Sequence, residues 1–258
     1  MSEAGDPLES LPAAILADVL GRVADTGDLA ACRLASRALL AASYHCPRVS
    51  LSAAARARRR RRREGGGGDA FRSVAANVAS LIGPCLRFLA LDASEGHGFP
   101  DDAMWVEEGE FDEGDDLHLT CGESVASWAA TAAGPALREV DIADFWPQSC
   151  WRKAEALPVI SRLCHDLVKL KLKNAWLSVA GLKIMPNLIH LALDFIRLDD
   201  EDLSALNRCF PCLETLYLIG VGGLKDPKID LPQLKICCWE VLLSKRWISP
   251  TSRRRHAG

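Results

Sequence analysis

The sequence predicts an α/β protein in which a unit of three short helices leads into a short, irregular solenoid of parallel strands. Two observations carry this. A six-residue pattern, Leu-x-x-Leu-x-Leu with substitutions, recurs from Leu86 onward. Upstream, the residues from Leu11 to Ser50 hold three helical periodicities in succession. Composition fits ordinary globular material, with 49% apolar and 25% charged residues over 258 positions, room for one large or two small domains.

The first helix opens at Leu11-Pro12 and carries Ile15, Leu16, Val19, Leu20 and Val23. That spacing marks one helical face, and Pro12 stands early enough that its missing N–H costs little. A polar break, Asp25-Thr26-Gly27-Asp28, comes next, with Asp28 as the expected N-cap of a second helix bearing Leu29, Cys32 and Leu34. Ser36 is placed to cap a third helix with Leu39, Leu40 and Tyr44. Three short helices bury too little surface to stand alone. Several of their apolar side chains are therefore expected to seek a partner.

In order and spacing, Leu-Pro, Ile-Leu, Val-Leu, Asp-Leu and Cys-Arg-Leu-Ala-Ser-Arg over Leu11 to Arg37 resemble an F-box. The family usually places an aromatic where this chain has Leu39. The resemblance implies docking onto the Skp-type adaptor of a Skp–cullin–F-box (SCF) ubiquitin ligase, and through it onto the cullin. The adaptor-binding residues it implies are Leu11, Pro12, Ile15, Leu16, Val19, Leu20, Leu29, Leu34 and Leu39. The plainer reading of the same residues is a small helical cap on the downstream domain.

The repeated pattern appears as Leu86, Leu89, Leu91, then Leu137, Val140, Ile142, then Leu167, Leu170, Leu172. It returns as Leu188, Leu191, Leu193, then Leu213, Leu216, Leu218, with a weak sixth copy at Leu234, Cys237, Trp239. First positions lie 51, 30, 21, 25 and 21 residues apart, and separations of 20 to 30 are the leucine-rich-repeat signature. The longest separation reads as an insertion or a degenerate repeat. A strand alternates its faces, so Leu170 and Leu172 are expected inward and Lys169, Lys171 and Lys173 outward. Stacked strands bury a leucine column that no single repeat could bury. Return helices are expected over Asp202 to Cys209 and, shorter, Val179 to Met185. The asparagine slots of a ladder hold Ser94, Phe145, Ala175, Ile196 and Val221 instead.

Cys164-His-Asp-Leu167 and Cys209-Phe-Pro-Cys-Leu213 resemble the irregular, cysteine-containing leucine-rich repeats that stand behind F-boxes. That arrangement, numerous in plants, belongs to substrate receptors of ubiquitin ligases. The implied organisation is an F-box at 8–51 and an Arg-rich and Gly-rich linker at 52–69. A repeat domain comes next at 70–243 with an acidic insertion at 92–116, and then a tail at 244–258 expected to lack a packed structure. The tail shows no clear polar cap, which suggests a shortened array with an exposed, association-prone last strand.

Charge is distributed in blocks although the net value is only −3. Leu51 to Arg63 holds seven arginines and no acid; Asp92 to Asp116 holds eleven acids and no Lys or Arg. Neither block can be buried, so both are expected outside the core. The run Arg58, Arg59, Arg60, Arg61, Arg62, Arg63 is read as a solvated linker or a nuclear import signal. Without aromatics for stacking nearby, nucleic acid is not expected as a partner. Phe99, Trp105 and Phe111 lie among the acids, so that segment is a solvated loop or a docking strip for a basic partner.

No apolar run is long enough to span a membrane, and the acidic start MSEAGDPLES does not read as a secretory signal. Ten cysteines without regular pairing suggest reduced thiols, in the nucleus or the cytoplasm or both. Cys209-x-x-Cys212 has zinc spacing but no second ligand pair, and packed thiols fit better. Ile219 to Lys225 lacks the ending of a phosphate loop and reads as a connection between repeats. No catalytic motif is present, and the six histidines are scattered. The sequence is thus read as non-catalytic, without cofactor or metal. The target-binding face is expected at Glu139, Asp141, Lys169, Lys171, Lys173, His190, Asp194, Thr215 and Tyr217. It runs from acidic through basic to mixed and aromatic, so its target is not a uniform polyanion. The alternative is a repeat scaffold with no ligase association.

Overall fold

The computed structural model describes residues 7–23, 26–52, 68–94, 117–144 and 153–241. The arginine run, the acidic segment from 95 to 116, Phe145 and the tail at 244–258 lie outside the described residues.

Helix α1 (Ala13–Leu20) starts after Pro12 and turns Leu16, Ala17 and Leu20 inward. Helix α2 (Thr26–Ala35) begins before Asp28, which lies in its first turn rather than capping it. An acid there still favours the positive helix end. Helix α3 (Arg37–Ser43) is capped as expected, with the Ser36 side-chain oxygen accepting from the Leu39 N–H at 3.3 Å.

Among the described residues, the rest is built on one eight-stranded, all-parallel sheet. Each copy of the six-residue pattern leads into a strand: β2 (Phe88–Asp92), β3 (Glu139–Ala143), β5 (Lys169–Leu177), β6 (His190–Arg197), β7 (Thr215–Ile219) and β8 (Ile236–Glu240). Equivalent residues pair directly. Leu89, Val140, Leu170, Leu191, Leu216 and Cys237 form one inward column; Leu91, Ile142, Leu172, Leu193, Leu218 and Trp239 form the next. Burial of these columns is what holds the stack together. Column residues from β2 to β7 are buried, whereas Trp239 in the edge strand β8 is 39% exposed.

A further strand, β1 (Arg48–Ser52), pairs with β2 and sets Val49 beside Leu89 and Leu51 beside Leu91. Cys46-x-x-Val49-x-Leu51 is therefore another copy of the pattern, with cysteine in the first leucine slot, and all three residues are buried. The sheet thus begins upstream of the Arg-rich and Gly-rich segment. The boundary expected at 52–69 falls between two neighbouring strands of one sheet.

Return helices pack on the inward side. They are α4 (Gly68–Ile82), with Phe71, Ala75, Ala79 and Ile82 buried, α5 (Gly122–Ala129) and α6 (Ala156–Leu163). Helix α7 (Asp200–Cys209) matches expectation and starts on a capping box: the Asp202 N–H donates to Asp199 Oδ1 at 2.7 Å, and the Asp199 N–H to Asp202 Oδ2 at 3.3 Å. The helix expected over Val179 to Met185 is a turn instead. Gly181 there takes a φ of 79° that no helix accommodates. A two-residue strand, β4 (Lys153–Ala154), lies against the end of β5.

Beyond the second inward leucine, β5, β6 and β7 share a kink. Asn174, Phe195 and Gly220 stand two residues after Leu172, Leu193 and Leu218, with φ of 59°, 53° and 61°. On β5 and β6 the pairing resumes beyond the kink, Ala175 with Ile196 and Trp176 with Arg197. Asn174 is buried, and its Nδ2 donates to the Asp144 carbonyl on the neighbouring strand at 2.9 Å. One ladder-like rung thus sits one residue before the expected asparagine slot.

Candidate functional site: two open faces

The first face belongs to the helical unit. Leu11 is 42% exposed, Ile15 51%, Val19 52% and Leu34 90%, and Pro12 is exposed as well. Ile15 and Val19, spaced by four, share one open stripe of α1, and Leu11 stands just before the helix. Leu39 is half-buried against the core. Leu16, Leu20 and Leu29 are buried in the chain's own core, which corrects their assignment to an adaptor surface. Periodicity marked all these residues as apolar but could not say which of them the chain's own core would claim. Helix α1 carries two apolar stripes, one used internally and one open.

The second face is the outward side of the sheet, set out in rows by the register. Arg48, Phe88, Glu139, Lys169, His190, Thr215 and Ile236 form one row. Asp141, Lys171, Ala192, Tyr217 and Cys238 share the next, and Asp92, Lys173, Asp194 and Ile219 lie in the third. Every expected strand-face residue lies in these rows. Thr215 is the exception in exposure: at 6% it is buried, so it does not present itself as predicted. Tyr217, at 38%, does.

The charges pair across strands. Lys169 Nζ lies 3.6 Å from Glu139 Oε1, and Lys171 Nζ lies 3.5 Å from Asp194 Oδ2. The half-exposed Lys169–Glu139 pair contributes under about 1 kcal/mol, whereas the Asp194 side chain is largely covered. Burial pushes the Asp141 carboxyl up from its ordinary value; Lys171 pulls it down and Asp92 and Asp194 raise it. Asp194 Oδ1 is buried and has no hydrogen-bond partner.

Sequence reasoning missed several residues of this face. The Arg48 guanidinium sits 4.0 Å from the Phe88 ring centre, and Arg197 sits 4.3 Å from that of Trp176. Arg48 was missed with its strand, whose signal was the cysteine-led pattern at Cys46. Trp176 and Arg197 lie beyond the kink, where simple alternation no longer assigns a face.

Among the described residues, no group of three or more His, Cys, Asp or Glu side chains could hold a metal ion. Cys209 is half-buried, with its thiol pushed up by burial, while Cys212 is exposed. Also among the described residues, no helix is long and apolar enough to cross a membrane.

A helical unit with an open apolar stripe, continuous with a parallel sheet whose outward side is patterned with charge, defines a protein-interaction protein. The chain is 41% identical over 242 residues to an F-box/LRR-repeat protein of Arabidopsis thaliana, a match covering 91% of this chain and 51% of that one. It therefore spans about half the length of the curated relative it matches. No family model matches it.

Proposed function

We propose that the chain is a substrate-recognition subunit of an SCF-type ubiquitin ligase, with an F-box in the helical unit and leucine-rich repeats in the sheet. The observation that carries this is that Ile15 and Val19 on α1, with Leu11 just before it, are apolar and open to water while Leu16 and Leu20 of the same helix are buried. Water-facing apolar residues at helical spacing are the mark of a docking helix. Burying a side chain of this size on a partner contributes about 1.5–3 kcal/mol before the costs of association. Similarity to an F-box/LRR-repeat protein supports the same reading. The occupant of this stripe is a Skp-type adaptor that links to a cullin. The target protein binds the outward rows of the sheet, and other subunits transfer ubiquitin.

The test is co-purification of the chain with a Skp-type adaptor, beside an Ile15→Asp, Val19→Asp double variant. Binding by the wild type and its loss in an equally stable variant supports the proposal. A folded wild-type chain that ignores the adaptor leaves the second reading, an interaction scaffold outside any ligase.

A further inference from the structure

Cys85 and His45 meet across the first two strands of the sheet. Each stands three residues before its strand, and the register that sets Arg48 beside Phe88 sets residue 45 beside residue 85. Cys85 Sγ lies 3.9 Å from His45 Nδ1. Cys85 is partly exposed and His45 is exposed, so reagents in water can reach the pair. Towards β3 the next neighbour is a cation. Arg87 Nη1 donates to the Pro84 carbonyl at 2.8 Å and to the Ala136 carbonyl at 3.0 Å, which fixes an exposed guanidinium against the turn Gly83–Cys85.

Cys212 makes an internal comparison. It holds the same place before β7 that Cys85 holds before β2, and it is the more exposed of the two. Its register neighbours are Asn187 before β6 and Gln233 before β8, and neither amide can take a proton. At Cys85 the neighbour is an imidazole. A thiol in contact with an imidazole is a nucleophile with its base. A pair is too small a set for a metal, and among the described residues no third donor joins it.

We propose that Cys85 is a modification site that takes up a small anionic disulfide, such as oxidised glutathione, with His45 as its base. The Cys85 sulfur attacks one sulfur of the disulfide while its proton passes to His45 Nδ1. A new S–S bond joins Cys85 to one half of the reagent, and the old S–S bond breaks. The other half leaves as a thiolate and recovers the proton from His45, so Cys85 is oxidised as the leaving half is reduced. The Arg87 guanidinium attracts the carboxylates of the reagent. His45 lies just beyond α3, so the adduct stands where the helical unit meets the sheet.

The experiment mixes the full, reduced chain with oxidised glutathione at neutral pH and follows its peptides by mass spectrometry. Cys85 is expected to form the mixed disulfide at least about tenfold faster than Cys212, despite its lower exposure. His45→Asn should bring the Cys85 rate down to that of Cys212 and leave the thermal midpoint in place. Arg87→Gln should slow oxidised glutathione more than a neutral reagent, bis(2-hydroxyethyl) disulfide. A wild-type Cys85 no faster than Cys212 overturns the proposal, as does a Cys85 rate that a folded His45→Asn chain retains. Equal slowing of both reagents overturns the anionic class of ligand. Should His45→Asn fail to fold, the wild-type ratio of Cys85 to Cys212 decides alone.

Discussion

The Cys46 thiol donates to the Ala17 carbonyl oxygen at 3.4 Å and so joins the strand-entry segment before β1 to the inner side of α1. It also donates to the Arg48 carbonyl at 3.0 Å, and Gly21 packs so close that an added Cβ would stand 3.2 Å from that same oxygen. Cys46 is thus one of the buried contacts that seat the helical unit beside β1, together with the close approach of Gly21. Burial raises the Cys46 thiol above its ordinary value. In the folded chain at pH 8, Cys46 is expected to resist alkylation while the exposed Cys212 reacts, and to react fully only after denaturation. Mass spectrometry of peptides after timed alkylation reads this directly. Rapid labelling of Cys46 in the folded chain would refute the contact.

Cys164 gives a prediction in pH. It is fully buried, and its thiol is pushed from 9.0 to about 12 by burial. The unfolded chain releases this proton first, so the contribution to stability is full below about pH 9 and is lost as pH climbs towards about 12. The slope is about 1.4 kcal/mol per pH unit for one proton. Urea unfolding at stepped alkaline pH should show a shallower decline for Cys164→Ala than for the wild type. Parallel slopes would show that Cys164 titrates normally.

Residues 171 and 172 are adjacent and should behave as opposites. Leu172 is wholly buried in an inward column, so Leu172→Ala should lose about 2–5 kcal/mol. Lys171 is 45% exposed and only its partner Asp194 is largely covered, so Lys171→Ala should lose about 1 kcal/mol, clearly less than Leu172→Ala. Equal losses in denaturant melts would argue against the assigned faces.

Asp144 is buried, and its Oδ2 accepts from the Thr120 N–H at 2.9 Å and the Thr120 hydroxyl at 2.6 Å. Asp144→Ala strands both donors and should destabilise by about 1–3 kcal/mol, with Asp144→Asn milder because it keeps an acceptor. Thermal melts of the two variants should therefore rank in that order; the reverse order would show that Thr120 does not depend on this carboxylate.

At Gly134 an added Cβ would overlap the Ala129 carbonyl oxygen, which is main chain and cannot move aside cheaply. Gly134→Ala is expected to destabilise by about 1–3 kcal/mol through the forced shift of the α5 terminus. Calorimetry would test it, and a neutral result would mean this helix end is loose.

Much of the strand framework was legible because its cause is repetitive. Leucines at fixed spacing can be buried in only one way by parallel stacking, and the register follows from that. What was not legible depends on context. Cys46 hid a strand because cysteine can take a leucine slot only when packing makes it a small apolar residue. Gly181 ended an expected helix through one dihedral angle. At the surfaces, the sequence showed which side chains of α1 are apolar, but only packing within the chain's own core separated Leu16 and Leu20 from Ile15 and Val19. Thr215 alternated correctly, and its neighbours still cover it.

Each outward row joins side chains that are scattered along the chain, as Arg48, Glu139, Lys169 and His190 are in the first. An antibody raised against this side of the native molecule would read a discontinuous epitope. It would stain the folded chain and fail on a denaturing blot, and no synthetic peptide from a single strand would compete with it.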